Sequence, residues 1–198
     1  MNFLVLDTET TGLPITKHIG WTKLPLYAPY YSLSYYDTSR LVQFSWIVHL
    51  NKKEIIKKNY IVYQEDIKEI PLSAYNVHKI NKEKTFLEGK DINYVFDIFL
   101  NQLEMVDIIV AHNISFDLNV ILSECYRYGR NDIIKELMKK KIECTMDIGT
   151  KYYKYKTVRI SLQRLHKKLF GKQFENAHDA LQDTIACRNC YLKMKGYN

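Results

Sequence analysis

The sequence predicts a mixed α/β protein in which helices flank a sheet of mixed strand direction. Three observations support this class. An apolar run opens the chain, two further strand-like segments follow as a hairpin, and helical and strand-like segments then alternate towards the C-terminus. Strands that alternate with helices build layered α/β domains. The chain has 198 residues, which suits one substantial core, so we expect a single domain over residues 1–198.

The first third of the chain supplies the predicted meander. Residues 2–8 form a continuous apolar run, which predicts a buried strand. Residues 41–50 and 54–63 flank a polar turn and predict the two arms of a hairpin. Between them, residues 15–39 have no regular period and are rich in tyrosine and proline. So long a stretch without a pattern is uncommon in a compact domain, and we interpret it as an atypical insertion that is functional or mobile.

The rest of the chain alternates helical and strand-like patterns. Apolar residues at helical or strand spacing predict helices at residues 73–78, 94–103, 116–128, 132–140, 161–170 and 178–194, and strands at residues 107–113 and 143–148. No repeat or linker divides this region. The alternation completes the predicted α/β architecture.

Composition favours an anionic partner. The formal net charge is +7 and the pI is near 9.0, which suits nucleic acid, although solvated surface lysines give the same excess. No stretch resembles a signal peptide or a membrane span, so we expect a cytoplasmic protein, or a nuclear one in a eukaryote, and no secretion. Cys187 and Cys190 have the spacing of half a zinc site, but no second pair completes it, and we interpret them as core residues.

Acidic residues lie at the ends of two predicted strands. Asp7 and Glu9 are two apart on the first strand, so both side chains leave the same face. Asp117 falls in the first turn of the helix after the strand at 107–113, where the helix dipole favours an anion and where a simple capping role is the alternative. Buried carboxylates are costly unless they are paired or bind a metal ion, and oxygen ligands suit Mg²⁺ or Mn²⁺. The pattern therefore predicts a divalent-metal site.

A third acidic segment lies near the C-terminus. His178 and Asp183 would point about 140° apart on one continuous helix, so they converge only if His178 lies in the loop that enters the helix. Asp183 shares a helical face with Ala180, Cys187 and Cys190, whose small side chains suit packing on a sheet. A carboxylate on such a face indicates function. A histidine on an entry loop can accept a proton from water near neutral pH.

Together these motifs resemble those of the DEDDh-type 3′→5′ exonucleases, the superfamily of the proofreading epsilon subunit of DNA polymerase III. The three exonuclease motifs correspond to Asp7-Thr-Glu9, Asn113-x-x-Phe116-Asp117 and His178 with Asp183, in the family's order. Further similarity lies at Arg40-Leu-Val-Gln, Val77-His78-Lys-Ile80 and Ser161-Leu-Gln-Arg-Leu165. The resemblance covers nearly the whole chain outside residues 14–39. One departure is Lys79, where relatives often have glycine, which adds a phosphate contact or blocks the usual turn.

The resemblance implies a ribonuclease H-like fold with a five-stranded mixed sheet flanked by helices, and two bound Mg²⁺ ions for which Mn²⁺ can substitute. It implies that Asp7 bridges both ions and that Asp117 supports the second. Glu9 and Asp183 would complete the ion that activates water, and His178 would be the general base.

It also implies a set of substrate-binding residues around the terminal nucleotide. These are Thr8, Thr10, Leu13, Val77, His78, Asn113 and Phe116. For His78 a structural role is the alternative, and we interpret His112 as structural.

The implied activity is metal-dependent hydrolysis at DNA 3′ ends that releases nucleoside 5′-monophosphates, in proofreading, repair or DNA degradation. A DNA polymerase is a candidate partner. DNA is preferred because Thr8 follows Asp7 where the oligoribonuclease pattern is usually apolar; Thr10 and Leu13 are the candidates for sensing the 2′-hydroxyl. The alternatives are an RNA-trimming exoribonuclease similar to oligoribonuclease or ribonuclease T, and a non-catalytic nucleic-acid-binding polymerase subunit, against which the complete acid set argues.

A basic and aromatic segment lies between the last predicted strand and the final helices. It runs from Lys151 to Lys156 and continues to Arg159. Tyrosines among cations suit single-stranded nucleic acid, so we expect this segment at the entry to the site, with an exposed loop as the alternative.

Overall fold

The computed structural model describes residues 2–18, 25–51, 53–155 and 159–197. Its strands are β1 (Phe3–Thr10), β2 (Thr16–His18), β3 (Pro25–Tyr27), β4 (Leu41–Leu50), β5 (Lys53–Tyr63), β6 (Lys90–Asp91), β7 (Ile108–Ala111) and β8 (Lys141–Cys144). Its α-helices are α1 (Leu72–His78), α2 (Lys82–Glu88), α3 (Ile92–Leu103), α4 (Ser115–Arg127), α5 (Asn131–Leu137), α6 (Thr145–Tyr152), α7 (Leu162–Phe170) and α8 (Ala180–Met194).

The main sheet has six strands in the order β6-β5-β4-β1-β7-β8. β4 is antiparallel to both β1 and β5, whereas β7 runs parallel to β1 and β8 parallel to β7. The predicted mixed α/β class is confirmed. The predicted count of five strands was one short, because β6 is a two-residue strand that pairs with the end of β5 and is too short to show a period of two.

Alternation along β1 assigns its side chains to the two faces of the sheet. Leu4 and Leu6 belong to the large core beneath α3, α4 and α5. Phe3 and Val5 pack in a second cluster with Tyr191 of α8. Because successive strand residues face opposite sides of the sheet, Asp7 and Glu9 lie on the face that packs against α8. Thr8 and Thr10 lie on the other face. The sheet therefore presents its acids to α8.

One predicted strand was partly wrong. Residues 143–148 were expected to be extended, but β8 ends at Cys144 and α6 begins at Thr145. Gly149 explains how this helix packs, since a Cβ there would lie 2.8 Å from Leu165 Cδ1 of α7. α6 and α7 approach each other closely because glycine has no side chain at position 149. Hydrophobic periodicity gives no information about such a contact.

The described part of the insertion folds against the domain. β2 and β3 form a separate antiparallel pair, and a 3₁₀ turn follows at Leu33–Tyr35. Tyr36 is 1% exposed, and its hydroxyl donates to the carbonyl of Ala28 and, at 3.4 Å, to Asn119 Oδ1 of α4. Thr38 Oγ1 donates to the carbonyl of Leu13 at 2.8 Å. Residues 19–24 of the insertion lie outside the described residues.

Across the described ranges, no helix has both the length and the apolar composition to cross a membrane.

Candidate active site

A cleft of about 670 Å³ opens where β1 ends. Glu9 and His178 line it, and so do all seven positions that were predicted to bind the nucleotide: Thr8, Thr10, Leu13, Val77, His78, Asn113 and Phe116. The lining also includes residues that sequence reasoning did not select: Gly12, Ser73, Ala74, His112, Met146, Ser161 and Leu162. The structure thus brings distant segments to one cavity.

His178 and Asp183 converge as the spacing required. His178 precedes α8 and has a φ of 69°, in the left-handed region that non-glycine residues rarely adopt. Its backbone N–H donates to Asp183 Oδ2 at 2.9 Å. Ligand atoms of Glu9, His178 and Asp183 all lie within 4.8 Å of one another. Strained backbone of this kind is concentrated at functional sites.

The start of α8 is fixed to the sheet beside these acids. Gln43 lies opposite Glu9 in the β1–β4 register. Its Oε1 accepts from the amide of Ala180 at 3.2 Å, and its Nε2 donates to Asp179 Oδ2 at 3.4 Å. Asp179 also caps α8, because its Oδ1 accepts from the amides of the helix's first turn. Gln43 and Asp179 therefore position the loop that carries His178.

Asp117 is held in place by two hydrogen bonds from Thr8. It lies in the first turn of α4 and is 2% exposed. The amide of Thr8 donates to Asp117 Oδ1 at 3.0 Å, and the Thr8 hydroxyl donates to the same oxygen at 2.8 Å. Thr8 lines the cleft as predicted, but both its donors orient Asp117.

The four carboxylates share one electrostatic environment. Burial is the largest cause in each case; it raises the pKa of Glu9 to about 8, that of Asp117 to about 7 and that of Asp183 to about 6. The pKa of Asp7 is also raised well above its usual value, first by burial and then by Asp117, Asp183 and Glu9. Carboxylates that repel one another in a buried site favour protonation or a bound cation.

Two histidines in the cleft have partners for both ring nitrogens. His78 Nε2 lies 3.1 Å from the carbonyl of Thr10, and Nδ1 accepts from the amide of Ile80 at 3.0 Å. His112 bonds to Thr145 Oγ1 and to the carbonyl of Ile160, and burial lowers its pKa to about 4. Both rings fix their segments in place, which agrees with a structural role for His112.

Lys79 forms the turn that the family usually makes with glycine. It ends α1 with a φ of 60°, and its amide donates to the carbonyl of Tyr75 at 2.8 Å. Of the two alternatives for Lys79, a blocked turn is therefore not what the structure shows, and the phosphate contact stays a prediction. Its Nζ lies 5.5 Å from the centre of the Tyr75 ring.

The basic segment from Lys151 to Arg159, which was predicted at the entry to the site, does not form one surface in the described structure. Lys151 lines a different surface with Glu143 and Lys195, and Lys156 lies outside the described residues. Arg159 pairs with Asp147 at 2.6 Å.

Tyr27 of the insertion was not selected by any sequence pattern. Burial and then the nearby charge of Asp117 raise the pKa of its hydroxyl.

Glu9 and His178 line the cleft, and Asp183 lies beside them, whereas Asp7 and Asp117 are not among the lining residues. The mixed six-stranded sheet flanked by helices matches ribonuclease H-like exonuclease folds. The exonuclease family model RNase_T matches residues 4–191. The chain belongs to this exonuclease family, and the resemblance to DEDDh-type exonucleases that the motifs indicated is confirmed.

Solved structures share the fold. Exonuclease X in complex with duplex DNA bearing a 5′ overhang is 18% identical with a TM-score of 0.59, over 99% of this chain and 94% of that one. E. coli exonuclease I in complex with a dA16 oligonucleotide is 19% identical with a TM-score of 0.69, over 98% of this chain but 41% of its own. A 3′-exonuclease that recognises the 3′ end of the histone mRNA stem-loop is 10% identical with a TM-score of 0.67, over 98% of this chain and 81% of that one. No curated protein sequence matches the chain.

Proposed function

We propose that the protein is a metal-dependent 3′→5′ exonuclease that hydrolyses the terminal phosphodiester bond of DNA and releases nucleoside 5′-monophosphates. The observation that carries this proposal is the clustering of Glu9, His178 and Asp183 within 4.8 Å, beside a cleft lined by the predicted nucleotide-binding positions. Asp7 and Asp117 bring two further acidic side chains close to this cluster.

The donor set fits hard divalent cations. The clustered ligands are carboxylate oxygens and one imidazole, and no cysteine is among the cleft residues of the described structure. Such a set favours Mg²⁺ or Mn²⁺ over softer metals. Asp7, Glu9, Asp117 and Asp183 would hold two such ions. When bound, the ions would polarise the scissile phosphate and lower the pKa of water.

The chain's own residues supply position and proton transfer. Thr8 orients Asp117 through two hydrogen bonds. The bond from the His178 amide to Asp183 keeps the imidazole beside the acids, on an exposed loop where water reaches it. His178 would accept the proton of the attacking water, a role for which an accessible histidine is suited.

The cleft favours a splayed 3′-terminal nucleotide. Leu13 is 76% exposed and Val77 is 47% exposed, so apolar side chains are available to a base or sugar. Thr10 is less available, because its hydroxyl donates to the carbonyl of Gly12 at 2.6 Å and its carbonyl contacts His78. Leu13 is therefore the better candidate for discriminating DNA from RNA by bulk near the sugar.

The test is digestion of 5′-labelled DNA and RNA oligomers of one sequence, single-stranded and paired, with Mg²⁺ or Mn²⁺. We expect stepwise shortening from the 3′ end, faster on DNA and on frayed ends, because unpairing costs less there. RNA cleaved as fast as DNA would favour an RNA-trimming enzyme, a candidate supported by the fold shared with the histone mRNA exonuclease. A cytoplasmic or nuclear location fits such substrates. A DNA polymerase partner has no support in the comparisons, and we do not propose one.

A further inference from the structure

A second groove lies along α7. Ser161, which immediately precedes this helix, lines both the groove and the cleft. The groove has a volume of about 580 Å³, and Arg164, Lys167 and Lys168 project into its lining. Its other described lining residues are uncharged, and no carboxylate is among them.

Two tyrosines hold the cations on this surface. Arg164 lies 5.2 Å from the centre of the Tyr155 ring, and Lys168 Nζ lies 5.0 Å from that of Tyr153. Both rings pack against the buried apolar cluster that includes Leu165. A cation over an aromatic face is stabilised without an anion. The tyrosines therefore support the cations of α7 from below. The sequence analysis had instead expected the tyrosines themselves to suit single-stranded nucleic acid.

The cations have no counter-ion in the described structure. Among the described residues, neither Arg164, Lys167 nor Lys168 pairs with a carboxylate, whereas nearby Arg159 and Lys195 do. Arg164 and Lys168 are one helical turn apart, about 6 Å along the axis. Three cations on one helix without a carboxylate partner fit a ligand that carries repeated negative charge, such as the backbone of a nucleic-acid strand.

We propose that this groove, which we call the α7 groove, binds the phosphates of the single strand upstream of the 3′-terminal nucleotides. The inference rests on the proposed exonuclease function, because a strand whose 3′ end occupies the cleft passes Ser161 and continues along α7. It assigns substrate binding to α7 rather than to Lys151, which faces another surface.

The test compares the full-length wild type with two triple variants. One carries Arg164→Gln, Lys167→Gln and Lys168→Gln. The matched control carries Lys53→Gln, Lys90→Gln and Lys135→Gln, which remove the same charge from exposed positions of β5, β6 and α5. Binding and digestion of dT strands of about 4 and about 20 nucleotides are measured across a salt series.

We expect the α7 variant to bind the long strand more weakly and to lose most of the gain in kcat/KM that the wild type shows with strand length. Its logarithmic salt slope should fall in magnitude by about 2, because each single-strand phosphate contact contributes about 0.7. An unchanged slope and length dependence, or equal losses in the control, would overturn the inference. A wild type that shortens no strand from its 3′ end would instead overturn the proposed function.

Discussion

Buried or half-buried carboxylates occur in two regions of the molecule, and the two regions differ in what faces them. Glu124 on α4 is 1% exposed, and its Oε1 accepts from Arg40 Nε at 2.7 Å and from the amide of Leu41 at 3.1 Å. Arg40 also pairs with Asp66 at 2.6 Å. In the cleft, the acids face mainly one another. Within the described chain, no lysine or arginine forms an ion pair with any of the four: Asp7, Glu9, Asp117 and Asp183.

The difference separates a structural use of buried charge from a functional one. A buried acid with its own cation is neutralised by the fold, so removing either partner leaves an uncompensated charge. Buried acids without a cation raise the free energy of the metal-free protein and become favourable only when a cation arrives. We therefore interpret the Arg40–Glu124 pair as a contribution to folding, and we propose that the cleft acids bind metal ions.

Asp7→Asn should cause the largest effect. We expect the turnover rate to fall about a thousandfold or more, since metal-assisted stabilisation of the transition state contributes several kcal/mol. Unfolding in EDTA should occur at the same or a higher temperature, because one repelling acid is gone. Single-turnover digestion and thermal unfolding measure both, with the exposed Asp97→Asn as control. A variant that stays active, or wild-type activity that survives EDTA, contradicts the metal-site interpretation.

His178→Ala tests whether the one imidazole among the acids transfers protons or binds metal. A general base typically contributes about 10²- to 10⁴-fold in rate, and we expect a loss in that range with Mn²⁺ affinity retained. The acidic limb of the pH–rate profile should change with it. If Mn²⁺ affinity falls together with the rate, His178 is a ligand, and if neither rate nor profile changes, it has no catalytic role.

Arg40→Met tests the paired region. It should lower the free energy of unfolding by up to about 3–5 kcal/mol, because Glu124 stays buried and keeps only the more distant Arg127, whose Nε lies 3.9 Å from Glu124 Oε2. A second substitution, Glu124→Leu, should recover much of that loss, since apolar replacement of a buried pair is often neutral. The control is Lys139→Gln, which breaks an exposed pair and should leave the free energy of unfolding nearly unchanged. Denaturant unfolding gives the values, and equal costs for Arg40→Met and Lys139→Gln would erase the contrast.

The last prediction concerns how the stability of the metal-free protein depends on pH. The pKa of Glu9 is raised to about 8, that of Asp117 to about 7 and that of Asp183 to about 6, against about 4 in an unfolded chain. The folded state then binds more protons than the unfolded state between these values, so stability should fall as pH rises from about 4 to about 8. Melting temperatures in EDTA across this range should show the decline, and Mg²⁺ should reduce it. A rise in stability over the same range would contradict the predicted sign.

The sequence predicted the elements that carry the chemistry, because each has strong periodicity or a motif. The alternation in β1 placed Asp7 and Glu9 on one face, and the spacing of His178 and Asp183 required the loop that the structure shows. Elements of two or three residues, such as β2, β3 and β6, lie below the length at which a period can be read. The close packing of α6 on Leu165 of α7 depends on the absence of a side chain at Gly149, which sequence periodicity does not encode.

The site was predicted as a set of residues but not as a surface. The seven positions predicted to bind the nucleotide line one cleft, yet nothing in the pattern indicated that both hydrogen-bond donors of Thr8 contact Asp117. The cations of the α7 groove were also missed. Arg164 and Lys168 are held over the rings of Tyr155 and Tyr153, and these contacts between separate segments are visible only in the folded structure. Contacts between distant segments set such roles, and local patterns do not contain them.

The most direct test of the contrast between paired and unpaired acids is a count of bound Mn²⁺ ions. Electron paramagnetic resonance titration of the wild type and of Asp7→Asn, each with a DNA strand that resists hydrolysis at its 3′ end, measures how many ions each chain binds. We predict two saturable Mn²⁺ sites per wild-type chain and the loss of both or of the tighter one in Asp7→Asn. The Arg40→Met chain should bind Mn²⁺ as the wild type does. Absence of saturable Mn²⁺ binding in the wild type, or undiminished binding in Asp7→Asn, would contradict it.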